Sequence, residues 1–350
     1  MLHGISTSDW HLTGMTRVLQ DPTSWQIREI HKPYKYALDN GIKHVFVPGD
    51  ICDSDHMDDH TFIQLVTLLL TYDEHVHTWY IRGNHDIAHK HKSSLDVLEF
   101  MCNNGFFKNF RIISKPKAIS IDGVSVGFIP FPNTEVTSKR PPLIFAHVEE
   151  PGAVGDNGRP LKCKESQVIR RKGDYMITGH IHQYQNLESR RTLYNGSLYQ
   201  KNFGESLPKG FIEFKAEYVK GQLQVYHEFI NSHPNFELHT IHIKKTSDWD
   251  KIKEDPSLRY KVLVDKSSGV VVPKDITIKR PNIVYLNGVD SLVKVKDVHE
   301  LEGQSLANLP KFNPVRGLRA YLEKSGLDGE LVKLGIQMSK EAWAYLSRQP

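Results

Sequence analysis

Short apolar runs that end in small polar residues recur along the first 230 positions of this chain. LHGIST (2–7), KHVFVP (43–48) and VHTWYIR (76–82) are too short for helices and rich in β-branched and aromatic side chains, so they predict strands. Between them, Trp25, Ile27, Ile30, Tyr34 and Leu38 recur at helical spacing across 23–40, interrupted by Pro33, and HTFIQLVTLLLTYD (60–73) predicts a strongly apolar helix. Strand alternating with helix argues for a parallel sheet covered on both faces. KAISIDGVSVGFIP (117–130) sets Asp-Gly between two alternating runs and predicts a hairpin. Further strands are predicted at 143–146 (LIFA), 175–178 (YMIT) and 192–194 (TLY), and GFIEFK (210–215) with LQVYHEF (223–229) predicts an antiparallel pair.

The pattern changes after position 230, which gives four predicted segments: 1–230, 231–287, 288–313 and 314–350. Residues 236–265 read as strand, helix, strand, and the stretch to 287 adds Lys266, Lys274, Lys279 and Arg280. Residues 288–313 are polar and irregular, with Gly303, Pro310 and Pro314 around them, and read as a linker. Beyond it Leu318, Tyr321 and Leu322 form one apolar stripe, and Leu331, Leu334, Met338, Ala342 and Tyr345 another, with Ser325-Gly326 between. A helix pair of this size has little core of its own and must dock, on a partner or back on this chain.

Composition narrows the class. The 350 residues are 39% hydrophobic and 25% charged, an ordinary globular balance, and the net charge of +4 permits a polyanionic partner without requiring one. Cys52, Cys102 and Cys163 are far apart and form no CxxC, which excludes a disulfide framework or an all-thiolate metal site and points to a reducing compartment. MLHGISTSDWH lacks a basic region followed by an apolar core, and no apolar run reaches membrane-spanning length. The expectation is a soluble, cytoplasmic protein with no membrane partner.

The 19 histidines matter because of where a few of them fall. The first predicted strand runs into Asp9-Trp10-His11, the second into Gly49-Asp50, the third into Gly83-Asn84-His85-Asp86, LIFA into His147, and YMIT into Gly179-His180-Ile181-His182. Ligands of open parallel sheets bind beyond the carboxyl ends of the strands. A single DWH or GH is common and usually structural, but five such pieces in order, each after an apolar run, are not. Carboxylate, imidazole and amide oxygen without thiolate suit manganese, iron or zinc. The set exceeds the needs of one ion. A shared carboxylate such as Asp50 would bridge two ions roughly 3.5–4 Å apart, lowering the pKa of a water that attacks phosphorus in line.

DWH, GDICD, GNHD, AH and GHIH, followed by YNGS at 194–197 and NFGESLPKGFIEFK at 202–215, resemble the calcineurin-like metallophosphoesterases. More narrowly they are similar to the SbcD-type DNA repair nucleases, above all the recombination endonuclease subunits of tailed bacteriophages. The resemblance implies an α/β fold, a metallophosphoesterase β-sandwich with flanking helices, plus a small α+β cap and C-terminal helices. It implies that Asp9 and His11 bind a first ion, that Asp50 bridges, that Asn84, His147 and His180 bind a second, and that His182 returns to the first. His85 would face the scissile phosphate, oriented by Asp86. Two divalent ions are implied, Mn2+ with Mg2+ as the alternative. The implied partners are DNA and, through the C-terminal helices, an SMC-like (SbcC-type) ATPase; a homodimer stays open, and a phage-encoded chain would work in the host cytoplasm. Cys52, beside the ligand edge, reads as packing, Asp53 as an outer residue at most, and Glu149 and Glu150 as loop charges. Two other functions remain: a small-substrate phosphoesterase acting on nucleotides or cyclic nucleotides, and a non-catalytic DNA-end-binding scaffold, which the complete ligand set disfavours.

Overall fold

The computed structural model describes residues 1–287, apart from 16–17, 19–20, 89–92, 137–140 and 274–275, so the predicted linker and helical tail lie outside the described residues. In chain order the elements are β1 (Leu2–Ser6), α1 (Pro22–Asp39), β2 (His44–Pro48), α2 (Asp59–Asp73), β3 (His77–Ile81), α3 (Ser94–Asn103), β4 (Phe110–Ile113), β5 (Lys117–Ile121), β6 (Val124–Ile129), β7 (Leu143–His147), β8 (Tyr175–Gly179), β9 (Gln185–Leu187), β10 (Thr192–Tyr194), β11 (Gly210–Val219) and β12 (Gln222–Asn231). Local chemistry sets several of these limits. Asp21 caps α1 by accepting from the Ser24 amide, with Pro22 in the first turn, and Asp58 caps α2 by accepting from the Thr61 amide. The helix α1 continues through Pro33, which is buried. Its buried stripe runs Trp25, Ile27, Ile30, Tyr34 and Ala37, whereas Leu38, counted on that face from spacing alone, is exposed. Asp122 and Gly123 both take positive φ, the geometry of the tight turn that Asp-Gly predicts between β5 and β6.

The expected β-sandwich with flanking helices is what the chain forms: two six-stranded mixed sheets, ordered β12-β11-β1-β2-β3-β4 and β5-β6-β7-β8-β10-β9. The parallel sheet read from strand–helix alternation is thus covered by helices on one face and by the second sheet on the other. Their inner faces meet in one apolar layer that joins Phe46, Ile81 and Phe214 of the first sheet to Phe128, Phe145, Ile177 and Leu193 of the second. The other face of the first sheet packs Val45, Val47 and Tyr80 against Trp25, Ile30, Leu65 and Leu98 of the three helices. The strands are apolar on both sides because a helix layer covers one and a second sheet the other. Phe46 stands at the centre, stacked on Phe145 with ring centroids 4.3 Å apart and packed on Phe128 and Phe214.

A third sheet, β13 (Glu237–Ile243), β14 (Leu258–Val264) and β15 (Ile283–Asn287), is parallel throughout and has its own apolar cluster around Trp249, Tyr260 and Val262. The expected helix between its first two strands is a 3-10 turn at Thr246–Lys251, and β15 was not foreseen. This module docks on the main body at residues 200–203. The Gln200 amide donates to the Leu238 carbonyl and accepts from the Leu238 amide, and Phe203 packs edge-on to Tyr285.

Phe46→Ala removes the ring that joins both sheets. It is expected to cost about 3–5 kcal/mol, read as a lowered midpoint of urea unfolding followed by tryptophan fluorescence; a loss below 1 kcal/mol would show that the two sheets do not depend on that contact.

Candidate metal centre

Every sequence-predicted donor lies at the carboxyl ends of β1, β2, β3, β7 and β8, on one edge of the sandwich. The backbone is bent hard to bring them there. Asp9, His11, Asp50 and His180 all have positive φ, a region that non-glycine residues seldom occupy and that costs of order 1–3 kcal/mol each. Two glycines permit the approach. A Cβ on Gly83 would lie 2.1 Å from Asp50 Oδ1, and one on Gly49 would lie 2.2 Å from His147 Nδ1.

The donors form two overlapping groups. His11 Nε2 lies 3.0 Å from His182 Nε2, and Asp9 gathers with both. Asn84 Oδ1 lies 2.9 Å from His147 Nε2 and 3.0 Å from His180 Nδ1. Asp50 belongs to both groups, because its Oδ2 is 3.6 Å from His11 Nε2 and 3.2 Å from His147 Nε2. Metal–ligand bonds of about 2.1 Å meeting at right angles separate neighbouring donors by about 3.0 Å. The observed spacings therefore fit donors that share an ion, and the donor set fits two divalent ions with Asp50 between them.

The opposite side of each imidazole is also held, as metal-binding histidines require. His147 Nδ1 donates to the Pro48 carbonyl at 2.9 Å, and His182 Nδ1 meets Glu205 at 3.0 Å and Asp156 at 3.2 Å. His180 Nε2 faces Glu149 at 3.7 Å. His11 Nδ1 lies 3.4 Å from Asp53 and accepts from Lys201 Nζ at 3.0 Å. Sequence reasoning missed Glu205, Asp156 and Lys201, and took Glu149 for an ordinary loop charge. Glu150 is neither loop charge nor ligand: it is fully buried and paired with Arg170 and Arg190. Glu205 is paired in turn with Lys209, both 1% exposed, and the Lys209 ammonium also donates to the His182 carbonyl and Ser197 Oγ. Burial alone would raise the Glu205 carboxyl, but His182 and Lys209 bring it down to about 2.

The charges are set against one another. Burial pushes the Asp9 carboxyl up to about 6, and burial drives the His11 imidazolium down to about 3. Burial is the largest single influence on the Asp50 carboxyl and would raise it, yet the charge and hydrogen bond of His147 and the charge of His11 together hold it below the usual range. Burial would lower His147, and Asp50 and Asp9 together hold it above its own.

One assignment needs correcting. Asp86 does not orient His85. Its fully buried carboxylate accepts from the amides of Asp50 and Gly83 at 2.8 Å each and of Cys52 at 3.0 Å, and from the Tyr80 hydroxyl. It is a clasp that ties the ends of β2 and β3 together. The His85 ring is held by the Asp53 carbonyl, which accepts from Nδ1 at 2.8 Å, and the His85 amide donates to Asp50 Oδ1 at 3.0 Å. Cys52 is fully buried in the helix-side core, and burial pushes its thiol well up, which leaves it a packing residue.

A sandwich that converges Asp, Asn and His on one edge, with a carboxylate shared between two donor groups that could hold two divalent ions, is the arrangement of a metallophosphoesterase. Residues 5–184 match the calcineurin-like phosphoesterases, and the chain belongs to that family; it is a metal-dependent phosphoesterase. Similar solved structures include a point mutant of Vps29 from Entamoeba histolytica (13% identity, 66% of this chain, 100% of that one, TM-score 0.31). GAP50 of the Plasmodium inner membrane complex has 9% identity, 66% and 85% coverage and a TM-score of 0.37. Vps29 from Cryptosporidium parvum has 11%, 66% and 98%, and 0.29. No curated protein matches this chain in sequence. No helix among the described residues is long and apolar enough to cross a membrane.

Asp86→Asn replaces one of the two accepting oxygens by an NH2, which sets donor against donor at one or two of the three amides. It is expected to weaken metal binding about 10–100-fold, measured by titration of the chelated protein with Mn2+. Unchanged affinity would show that Asp50 holds its place without the clasp.

Proposed function

We propose that this chain is a DNA nuclease that hydrolyses phosphodiester bonds and works with an SMC-like ATPase. The observation that carries the chemistry is the single Asp50 oxygen that lies between His11 and His147. When bound, two divalent ions there supply charge neutralisation and an activated water for attack on phosphorus. The protein's own groups prepare the rest. The Asp53 carbonyl takes the Nδ1 hydrogen of the His85 ring, which leaves Nε2 to face the phosphate; in the imidazolium form both nitrogens carry hydrogen, and Nε2 then gives its proton to the leaving oxygen while Nδ1 keeps its own. Asn84 is a neutral donor, so the position it shares with His147 and His180 keeps more positive charge for an anionic substrate than the position built on Asp9.

DNA as substrate is supported by the third sheet. Residues 231–287 carry ten lysines and arginines against seven acids, an excess that suits a phosphate backbone. That module is hydrogen-bonded to residue 200, next to the Lys201 that touches His11. The ATPase partner is supported by the two apolar stripes of 314–350, which need a surface to cover them.

The test compares hydrolysis of linear duplex DNA with that of bis(p-nitrophenyl) phosphate after chelation and reloading. Chelation is expected to abolish both activities, and Mn2+ to restore them better than Mg2+, because four of the seven donors are imidazoles. Hydrolysis of the chromogen without that of DNA would sink the nuclease reading and leave a small-substrate phosphoesterase.

His85→Ala is expected to keep both ions by elemental analysis and to lose about 10²–10⁴-fold in turnover. Loss of an ion would make His85 a ligand instead.

A further inference from the structure

Lys201 is an odd neighbour for a centre that gathers cations. Its ammonium lies 2.6 Å from Asp53 Oδ1 and 3.0 Å from His11 Nδ1, on the far side of the imidazole from Asp50. Through Asp53 it is joined to the residue whose carbonyl holds His85. Its side chain is 21% exposed, so it reaches the solvent side of the edge. The contrast with Lys209 is informative. Lys209 is buried, and its three donors are spent on Glu205, the His182 carbonyl and Ser197.

We infer that Lys201 is a specificity residue that binds the phosphate next to the scissile one, and so selects a polynucleotide over a small diester. Three arguments meet here, and all rest on the nuclease reading above. The first is valence. A neutral His11 that ligates through Nε2 keeps its hydrogen on Nδ1, which then donates to Asp53 and no longer accepts from Lys201. Loading the centre therefore frees a lysine donor at its rim while the Asp53 contact keeps the side chain in place.

The second is charge. A fixed cation beside two divalent ions is repelled by them, and that repulsion is offset when an anion arrives. The reacting phosphate does not serve, because the His11 ring stands between Lys201 and the Asp50 side of the centre. A small diester carries one phosphate and has nothing further to offer, whereas a nucleic-acid strand brings another at the next step. The third is placement. Lys201 lies in chain order between two docking points of the third sheet, Gln200 on Leu238 and Phe203 on Tyr285, and touches His11, so it sits where the metal edge and that basic module meet.

The experiment uses the full chain loaded with Mn2+ and compares Lys201→Met and Lys201→Arg with wild type. The ratio of kcat/KM for duplex DNA to that for bis(p-nitrophenyl) phosphate is expected to fall roughly tenfold in Lys201→Met and to recover in Lys201→Arg. In a His85→Ala background, where cleavage is slow, DNA binding by fluorescence anisotropy across salt concentrations gives a second reading. The slope of log K against log salt is expected to drop by about one for Lys201→Met. Lys201→Gln, which keeps a polar side chain without the charge, guards against a folding defect and should match Lys201→Met in slope. An unchanged ratio and slope in a chain that still cleaves DNA would overturn this role for Lys201 alone. Wild-type protein that neither binds nor cleaves DNA would overturn the nuclease reading and this inference with it.

Discussion

Two buried carboxylates, Asp9 and Asp50, must be kept within reach of four imidazoles that come from three separate strand ends, and much of the architecture follows from that requirement. Left alone, buried like charges repel and buried carboxyls protonate. The chain meets the difficulty with geometry. Left-handed backbone at Asp9, His11, Asp50 and His180 turns the donors inward, and the Asp86 clasp holds the ends of β2 and β3 against the strain. Each imidazole then has an outer partner of its own: a carbonyl for His147, and carboxylates for His182, His180 and His11. These partners determine which nitrogen of each ring would face an ion.

The two ion positions are not equivalent. The one built on Asp9 has two carboxylates and two imidazoles, and its outer partners Asp53, Asp156 and Glu205 are all acidic. The one built on Asn84 has a single carboxylate, shared through Asp50, and its outer partners are the Pro48 carbonyl and the more distant Glu149. The first position is suited to retaining an ion, and the second to lending its charge to a substrate.

The seven donors are legible in the chain because each directly follows an apolar run, and strand ends are where such sheets present their chemistry. What was not legible depends on contacts between distant segments. The pattern of KHVFVP is apolar on both faces and does not reveal that Val45 and Val47 meet helices while Phe46 meets a second sheet. The sequence neighbours His85 and Asp86 invite a pairing, yet Tyr80 and three amides have the stronger claim on that carboxylate. Asp156 lies in GDNGR, which reads as an ordinary turn, and Glu205 in a loop whose purpose appears only once His182 and Lys209 are seen on either side of it. Short elements such as β4 and β9 give too few residues for a period to emerge.

The Glu205–Lys209 pair also bears on the order in which the molecule can be completed. His11 is made near the start of the chain, but the group that fixes its partner His182 comes almost two hundred residues later, and Lys209 is the residue just before β11, the strand that closes against β1. A nascent chain that has emerged only as far as β10 has all seven donors and Asp156, yet His182 lacks Glu205 and β1 lacks β11 on one side. Closing the sheet and completing the outer support of His182 thus draw on one short stretch, 205–210, and a chain that stops short of it lacks both.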